Sequence, residues 1–239
     1  MFVFEVLPRL PDVPRTRDLS RALAMLDAIL SPEWSSRYYS FDAEWAPDET
    51  MASMRDGSGG EYSIVFSPAG ACARGFDHES PISPYRSRPP ALWPGLLDST
   101  PAPFRSVVEE PAFCSEDGTL LATVVFWRGA TDEVWSCGDL ELPDPDADPD
   151  GADRLFELLA DDRPEAYQQF ARDHHDVEAD ANAVRHVYAL RPLTRSVVTA
   201  LNPELDLDDL EPDRKQIGYP EPDERPVRPR RSVWGWPLL

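Results

Sequence analysis

Residues 41–80 read FDAEWAPDETMASMRDGSGGEYSIVFSPAGACARGFDHES, and this stretch decides how the chain is expected to fold. Two apolar runs, residues 62–66 and 71–76, flank a four-residue Ser-Pro-Ala-Gly connection, which is typical of a β-hairpin. Residues 48–55 follow a proline and are predicted to form a short helical turn that the glycines at 57–60 end. The rest of the fold is therefore expected to be built around the hairpin.

Periodic and β-rich segments lie on both sides of this stretch. Apolar residues at helical spacing predict a helix over residues 17–30, with Thr16 as its N-cap. Strands are predicted over residues 34–45, 119–127 and 133–137, because these runs contain β-branched and aromatic residues. The last two of these strands are expected to pair as antiparallel neighbours.

The C-terminal third is predicted to be mainly helical, with Pro164 and Thr194 opening two of its helices. Residues 184–190 alternate in polarity and instead predict a half-buried strand. The whole pattern predicts one α+β domain over residues 1–220, in which helices pack on an antiparallel sheet of about five strands. A flexible tail rich in Pro, Arg and Trp, residues 221–239, is expected to follow the domain.

Composition limits the class of protein. The 239 residues carry a net charge of −21, so nucleic-acid binding is not expected, whereas a basic protein partner would be attracted. No apolar run approaches the roughly 20 residues that span a bilayer, and the N-terminus does not resemble a signal peptide. Three cysteines without CxxC spacing fit a reducing compartment. A soluble cytoplasmic protein without membrane contact is therefore expected.

Several pieces of the chain are similar to a known family when they are taken together. They are residues 41–80, DPDGADRLFELL, RPEAYQQFA, and PLTRSVVTALNPELDLDDL followed by IGYP. These pieces resemble a family of cytosolic bacterial proteins to which no activity is assigned. The resemblance covers about residues 34–220 and leaves out the tail. It implies a single module, and it carries over no catalytic residue because none is established for the family.

The best position for acid–base chemistry is Asp77-His78-Glu79, where the second strand of the hairpin ends. A histidine flanked by carboxylates has its charged form favoured, so a hydrolase that uses His78 with Asp77 or Glu79 is one alternative. Successive residues of a strand point to opposite faces, so both carboxylates cannot orient His78 if the strand continues. The other interpretation is a histidine that holds the loop by a hydrogen bond to the backbone.

The acidic loop at residues 146–157 matches the spacing of a calcium-binding loop. Asp146, Asp148, Asp150 and Glu157 supply oxygen atoms at the required positions, and a glycine occupies the position of the sharp turn. The residues before the loop do not predict an incoming helix, and a proline stiffens the loop. Two interpretations stay open, a calcium-responsive module and a solvated acidic loop that precedes a helix.

The tail combines Arg228, Arg230 and Arg231 with Trp234 and Trp236. Its prolines oppose a regular helix or a central strand, while arginine and tryptophan often dominate binding energy at interfaces. We therefore expect the tail to bind in the groove of a partner. An idle tail, or a tail that folds back onto the acidic body of its own chain, is the alternative.

The function predicted from the sequence is that of a non-enzymatic, acidic, cytosolic protein that binds a protein partner, in the manner of a toxin-immunity protein. The partner is expected to be basic because of the charge of this chain. Nucleic acid and membranes are not expected as partners. No cofactor is predicted, apart from Ca²⁺ at the acidic loop.

Overall fold

The computed structural model describes residues 1–143 and 148–221 of the chain. Six strands in these residues form one antiparallel sheet, and each strand pairs with the next one along the chain. The predicted α+β class is confirmed, with six strands where about five were expected. The strands are β1 (Tyr39–Ala46), β2 (Glu49–Arg55), β3 (Gly60–Ser67), β4 (Gly70–Asp77), β5 (Val124–Gly129) and β6 (Ser136–Cys137).

The described part of the chain also contains nine α-helices, most of which follow the sheet. The C-terminal third is therefore helical, as predicted, while the predicted tail lies outside the described residues from position 222 onwards. No helix of the described residues has the length and apolar content needed to cross a bilayer. The helices are α1 (Val3–Val6), α2 (Val13–Leu30), α3 (Arg105–Val108), α4 (Ala152–Leu155), α5 (Glu157–Ala160), α6 (Pro164–His175), α7 (Ala181–Tyr188), α8 (Arg195–Leu201) and α9 (Glu211–Ile217).

The predicted central hairpin consists of β3 and β4, which pair from Gly60 and Asp77 to Ser67 and Gly70. Both strands are almost wholly buried, and β2 and β5 pair with their outer edges. The turn requires glycine, since Gly70 has a φ of 133° and an added Cβ would lie 2.1 Å from the carbonyl oxygen of Arg128. The hairpin thus lies at the centre of the sheet, as predicted.

Helix α2 packs on β1 and begins earlier than predicted. Asp12, rather than Thr16, is the N-cap, because its carboxylate accepts a hydrogen bond from a backbone N–H of the first turn at 2.8 Å. Leu19, Leu23 and Leu26 are fully buried at helical spacing. Burial of each leucine contributes about 1.5–3 kcal/mol, which attaches this face of the helix to the sheet.

The helical turn predicted over residues 48–55 is wrong, because this segment forms strand β2. Pairing with β1 on one side and β3 on the other satisfies its backbone hydrogen-bonding groups. Ala52 and Met54 are buried at the two-residue spacing of a strand, which outweighs the preference of Pro47 for a helix start. Pro47 and Asp48 instead form the β1–β2 turn, in which Asp48 has a φ of 61°.

The half-buried strand predicted over residues 184–190 is also wrong, since helix α7 occupies most of this segment. The carboxylate of Asp180 caps the helix by accepting hydrogen bonds from two backbone N–H groups of its first turn. Val184, Val187 and Tyr188 are buried at helical spacing. Over so few residues the two periodicities overlap, and the cap together with the packing decides between them.

The two faces of the sheet are covered differently. One face packs against the helices, and Phe41, Ile64 and Phe126 are buried in the core between them. The other face is covered by the irregular segment between β4 and β5, from which Phe104 and Phe113 pack into a second core. Strands β1 and β2 are less buried than the central hairpin, so this second face is partly open at their end of the sheet.

Candidate functional site

The tip of the β1–β2 hairpin departs from regular pairing. Pairing stops at Asp42 and resumes at Ala46, so three residues of β1 stand opposite Thr50 alone. A bulge of this kind bends a strand and changes the direction of its side chains. It leaves Trp45 half-buried, with its side chain lining a cleft on the second face of the sheet.

In this cleft, the Trp45 ring stacks on that of Phe113, which belongs to the 3-10 turn Pro111–Phe113 after helix α3. The two ring centroids are 6.3 Å apart, and the ring planes are inclined by 6°. The cleft has a volume of about 300 Å³, and a more open cleft of about 700 Å³ adjoins it around the hairpin tip. We call the two clefts together the hairpin groove, whose lining includes Glu44, Trp45, Asp48, Glu49, Glu110 and Phe113.

Four carboxylates line the hairpin groove. Glu44 and Asp48 are exposed, while Glu49 and Glu110 are half-buried. Within the described residues, none of the four forms an ion pair with an arginine, a lysine or a histidine. Glu110 accepts a hydrogen bond from the N–H of Ala112 at 3.2 Å. The groove thus places negative charge beside two aromatic rings.

An aromatic ring bordered by carboxylates is suited to cationic side chains. A guanidinium group can stack on the ring while it donates hydrogen bonds to the carboxylates. The chain shows this combination next to the groove, where buried Arg74 lies 4.8 Å from the Phe113 ring centroid and donates to Glu61 at 2.7 Å. The open side of the groove can accept an arginine or a lysine in the same way.

Sequence reasoning did not single out this groove. One wall comes from the β1–β2 tip, and the other comes from residues 106–113, which are distant in the chain. The acidic residues around Pro47 and Asp48, between two β-type runs, were a usable signal for the first wall. Nothing local indicates that Phe113 lies opposite Trp45, because only the packing of the loop on the sheet brings them together.

The predicted acid–base residues lie where β4 ends, but the structure separates their side chains. His78 is exposed, and its ring contacts that of Tyr85 at a centroid distance of 5.7 Å. Asp77 pairs with Arg154, whose Nη2 is 3.1 Å from Asp77 Oδ2. The carboxylate of Glu79 lies 3.6 Å from an arginine of the next loop. In this part of the described chain, neither carboxylate hydrogen-bonds to the His78 ring.

The acidic loop is described only in part, because Asp146 lies outside the described residues. Asp148 accepts hydrogen bonds from two N–H groups of helix α4, each at 3.1 Å. Asp150 is fully buried and accepts from the N–H of Val3 at 2.9 Å and from the first N–H of α4 at 3.0 Å. Glu157 is exposed at the start of α5. Both described aspartates therefore accept N–H groups from the first turn of α4, and Asp150 also joins this turn to the start of α1.

Three comparisons add no assignment to this geometry. The chain matches no protein-family model, no curated protein and no solved structure. The resemblance to cytosolic bacterial proteins therefore stays a prediction. The same holds for Arg228, Arg230, Arg231, Trp234 and Trp236, which lie outside the described residues.

Proposed function

We propose that this chain is a non-enzymatic cytosolic protein that binds a basic protein partner in the hairpin groove. The observation that supports the proposal is the set of groove carboxylates around Trp45 without a cationic partner in the described chain. Carboxylates outside ion pairs also occur elsewhere on the described surface, for example at Glu133, so what distinguishes the groove is that its carboxylates lie beside an aromatic ring. A partner segment that carries arginine or lysine would supply the missing positive charge.

The charge of the whole chain supports the same class of partner. The net charge is −21, and residues 225–239 contain four arginines and no acidic residue, so residues 1–224 carry −25. A field of this sign attracts basic proteins and increases their association rate. It repels nucleic acids and other acidic surfaces, so neither is proposed as a partner.

An immunity protein that covers a basic toxin fits this chemistry. Such a protein needs a complementary surface, and it does not need catalytic groups of its own. Hydrolysis through His78 is less favoured, because Asp77 and Glu79 lie against arginines and do not orient the His78 ring. Binding is therefore the function that the geometry supports best.

Affinity purification from the native host tests the proposal with the full chain as bait. The groove variant Glu44→Gln/Asp48→Asn/Glu49→Gln removes three groove charges while it keeps the side-chain sizes. We expect the wild-type chain to recover a basic protein, and we expect the groove variant to recover about tenfold less of it, since close charge pairs contribute strongly to affinity.

A control variant distinguishes the effect of the groove charges from the effect of the net charge of the chain. Glu5→Gln/Glu133→Gln/Asp139→Asn removes three exposed charges on the β6 side of the sheet, so its net charge equals that of the groove variant. This control should recover the partner as the wild-type chain does. Equal losses with both variants, or recovery of an acidic protein by all three forms, would contradict the proposal.

A further inference from the structure

Helix α9, the last described helix, ends against strand β1 on the helix-covered face of the sheet, at the margin of the hairpin groove. Helix α9 is followed by Gly218, whose φ is 62°, and a Cβ added to Gly218 would lie 3.0 Å from the Cβ of Ala43. Ala43 belongs to the β1 bulge and lines the groove next to Glu44. Tyr219 is buried and donates a hydrogen bond from its hydroxyl to the carbonyl oxygen of Arg191 at 3.0 Å. These contacts fix the point at which the chain leaves the body.

After Asp223 and Glu224, the remaining tail residues carry positive charge that complements the groove carboxylates. Residues 225–239 contain Arg225, Arg228, Arg230 and Arg231, two tryptophans and no acidic residue. Arg228 is seven residues beyond Glu221, a distance that an extended chain covers within about 25 Å. A tether this short gives the tail an effective concentration of about a millimolar at the groove.

We propose that the tail binds in the hairpin groove of its own chain. Its arginines face the groove carboxylates, and its tryptophans pack near Trp45. The tail thereby occupies the site that a basic partner would take, and the partner must displace it. That a partner must displace the tail rests on the proposed function. The contact between tail and groove does not depend on the proposed function.

The charge of the groove favours this site over a second apolar cleft of the described chain. That cleft has a volume of about 480 Å³ and lies at the β6 edge, lined by exposed Phe4 and Val134. Arg128 lines it beside Glu133, so an arginine-rich segment would meet a cation there. It is also across the sheet from β1, about 20–25 Å away at the usual strand spacing.

Limited trypsin digestion of the full chain tests the contact. Trypsin can cut after Arg230 and Arg231, because Arg225 and Arg228 precede prolines. Cleavage of a bound segment follows the fraction of time for which it is released, so we expect the groove variant to be cut after Arg230 or Arg231 about tenfold faster than the wild-type chain. Salt at about 0.5 M should accelerate cleavage of the wild-type chain, because it screens the charges.

The charge-matched control Glu5→Gln/Glu133→Gln/Asp139→Asn should be cut at the wild-type rate. Equal rates in all three forms, or equal acceleration in both variants, would overturn the proposal. The two proposals can fail separately. Faster tail cleavage without loss of the partner would contradict only the proposed function, while loss of the partner without a change in cleavage would contradict only the tail contact.

Discussion

Asp27 is a fully buried carboxylate that connects three elements of the fold. Its Oδ2 accepts hydrogen bonds from the N–H groups of Tyr38 and Tyr39, at 2.6 and 2.9 Å, where β1 starts. Its Oδ1 accepts the hydroxyl of Tyr167 at 3.1 Å and lies 3.2 Å from Nε2 of His175, and both of these residues belong to α6. Because α2 carries Asp27, one side chain joins α2, β1 and α6.

Replacing Asp27 with asparagine should destabilise the chain by about 2–4 kcal/mol, since the amide group leaves some of these buried donors unpaired. Urea denaturation measures the change in the free energy of unfolding. Asp98→Asn serves as the control, because Asp98 is exposed and its replacement should stay within about 0.5 kcal/mol. A similar small effect at Asp27 would contradict the role given to this network.

Asp150 is a second fully buried carboxylate, and its pKa is raised. Burial raises the pKa of Asp150 from an ordinary value of 3.8 to about 6, although the N–H groups of Val3 and Ala152 favour its ionised form. The folded chain therefore holds a proton at Asp150 more tightly than the unfolded chain does. The stability that this residue contributes is greatest below about pH 4 and is lost as the pH rises through 6.

Replacing Asp150 with asparagine should remove this part of the pH dependence. Between pH 5 and pH 7, the free energy of unfolding of the wild-type chain should fall by about 1 kcal/mol more than that of the variant. Urea denaturation at the two pH values measures the difference, and Asp98→Asn should follow the wild-type chain. Identical pH dependence in Asp150→Asn would show that the pKa of Asp150 is not raised.

At the scale of elements, helix α6 has Asp176 as its C-cap, although the backbone conformation at this position favours glycine. Asp176 follows the helix with φ 53° and ψ 33°, a left-handed conformation that favours glycine. The side chain of Asp176 is exposed, and its negative charge lies at the negative end of the helix dipole. Backbone conformation and charge therefore both oppose an aspartate at this position.

Replacing Asp176 with glycine should stabilise the chain by about 0.5–1 kcal/mol, because it removes both unfavourable effects. The melting temperature should rise by about 2–4 °C for each kcal/mol. Asp176→Ala is the matched control, since it removes the charge but keeps a Cβ at positive φ. If alanine stabilised the chain as much as glycine, the conformational explanation would be wrong.

At the scale of the whole molecule, the net charge of −21 opposes the compact state through self-repulsion. Dissolved salts screen this repulsion, so divalent cations should stabilise the chain whether or not they bind at one site. The same measurement tests the calcium hypothesis. Asp148 and Asp150 already accept hydrogen bonds from backbone N–H groups, whereas Ca²⁺ requires six to eight oxygen ligands.

Millimolar CaCl₂ and MgCl₂ should therefore raise the melting temperature equally, because both act by screening. Thermal melts of the wild-type chain and of Asp148→Asn/Glu157→Gln check this expectation. A larger rise with Ca²⁺ than with Mg²⁺, abolished in the variant, would instead establish the calcium-responsive function, because a ligand that binds only the folded state stabilises it.

Local patterns are sufficient for much of the fold. Alternating and continuous apolar runs predict β3 and β4, and helical spacing predicts α2. The same reasoning fails at residues 48–55 and 184–190, where a proline and a short polarity alternation each have two interpretations. In both segments, pairing or packing with distant parts of the chain selects the structure.

The amino-acid sequence by itself determines the α+β class, the central hairpin and the acidic character of the chain, because hydrophobic spacing and charge are properties of each segment. The tertiary structure alone decides the candidate site. Three of the six strands separate Trp45 from Phe113 in the chain, and the two residues meet only because the loop after β4 folds back over the second face. The β1 bulge and the positive φ of Asp48 likewise arise from pairing with β2. The groove depends on contacts between segments that are distant in the chain, and the local spacing of residues does not predict such contacts.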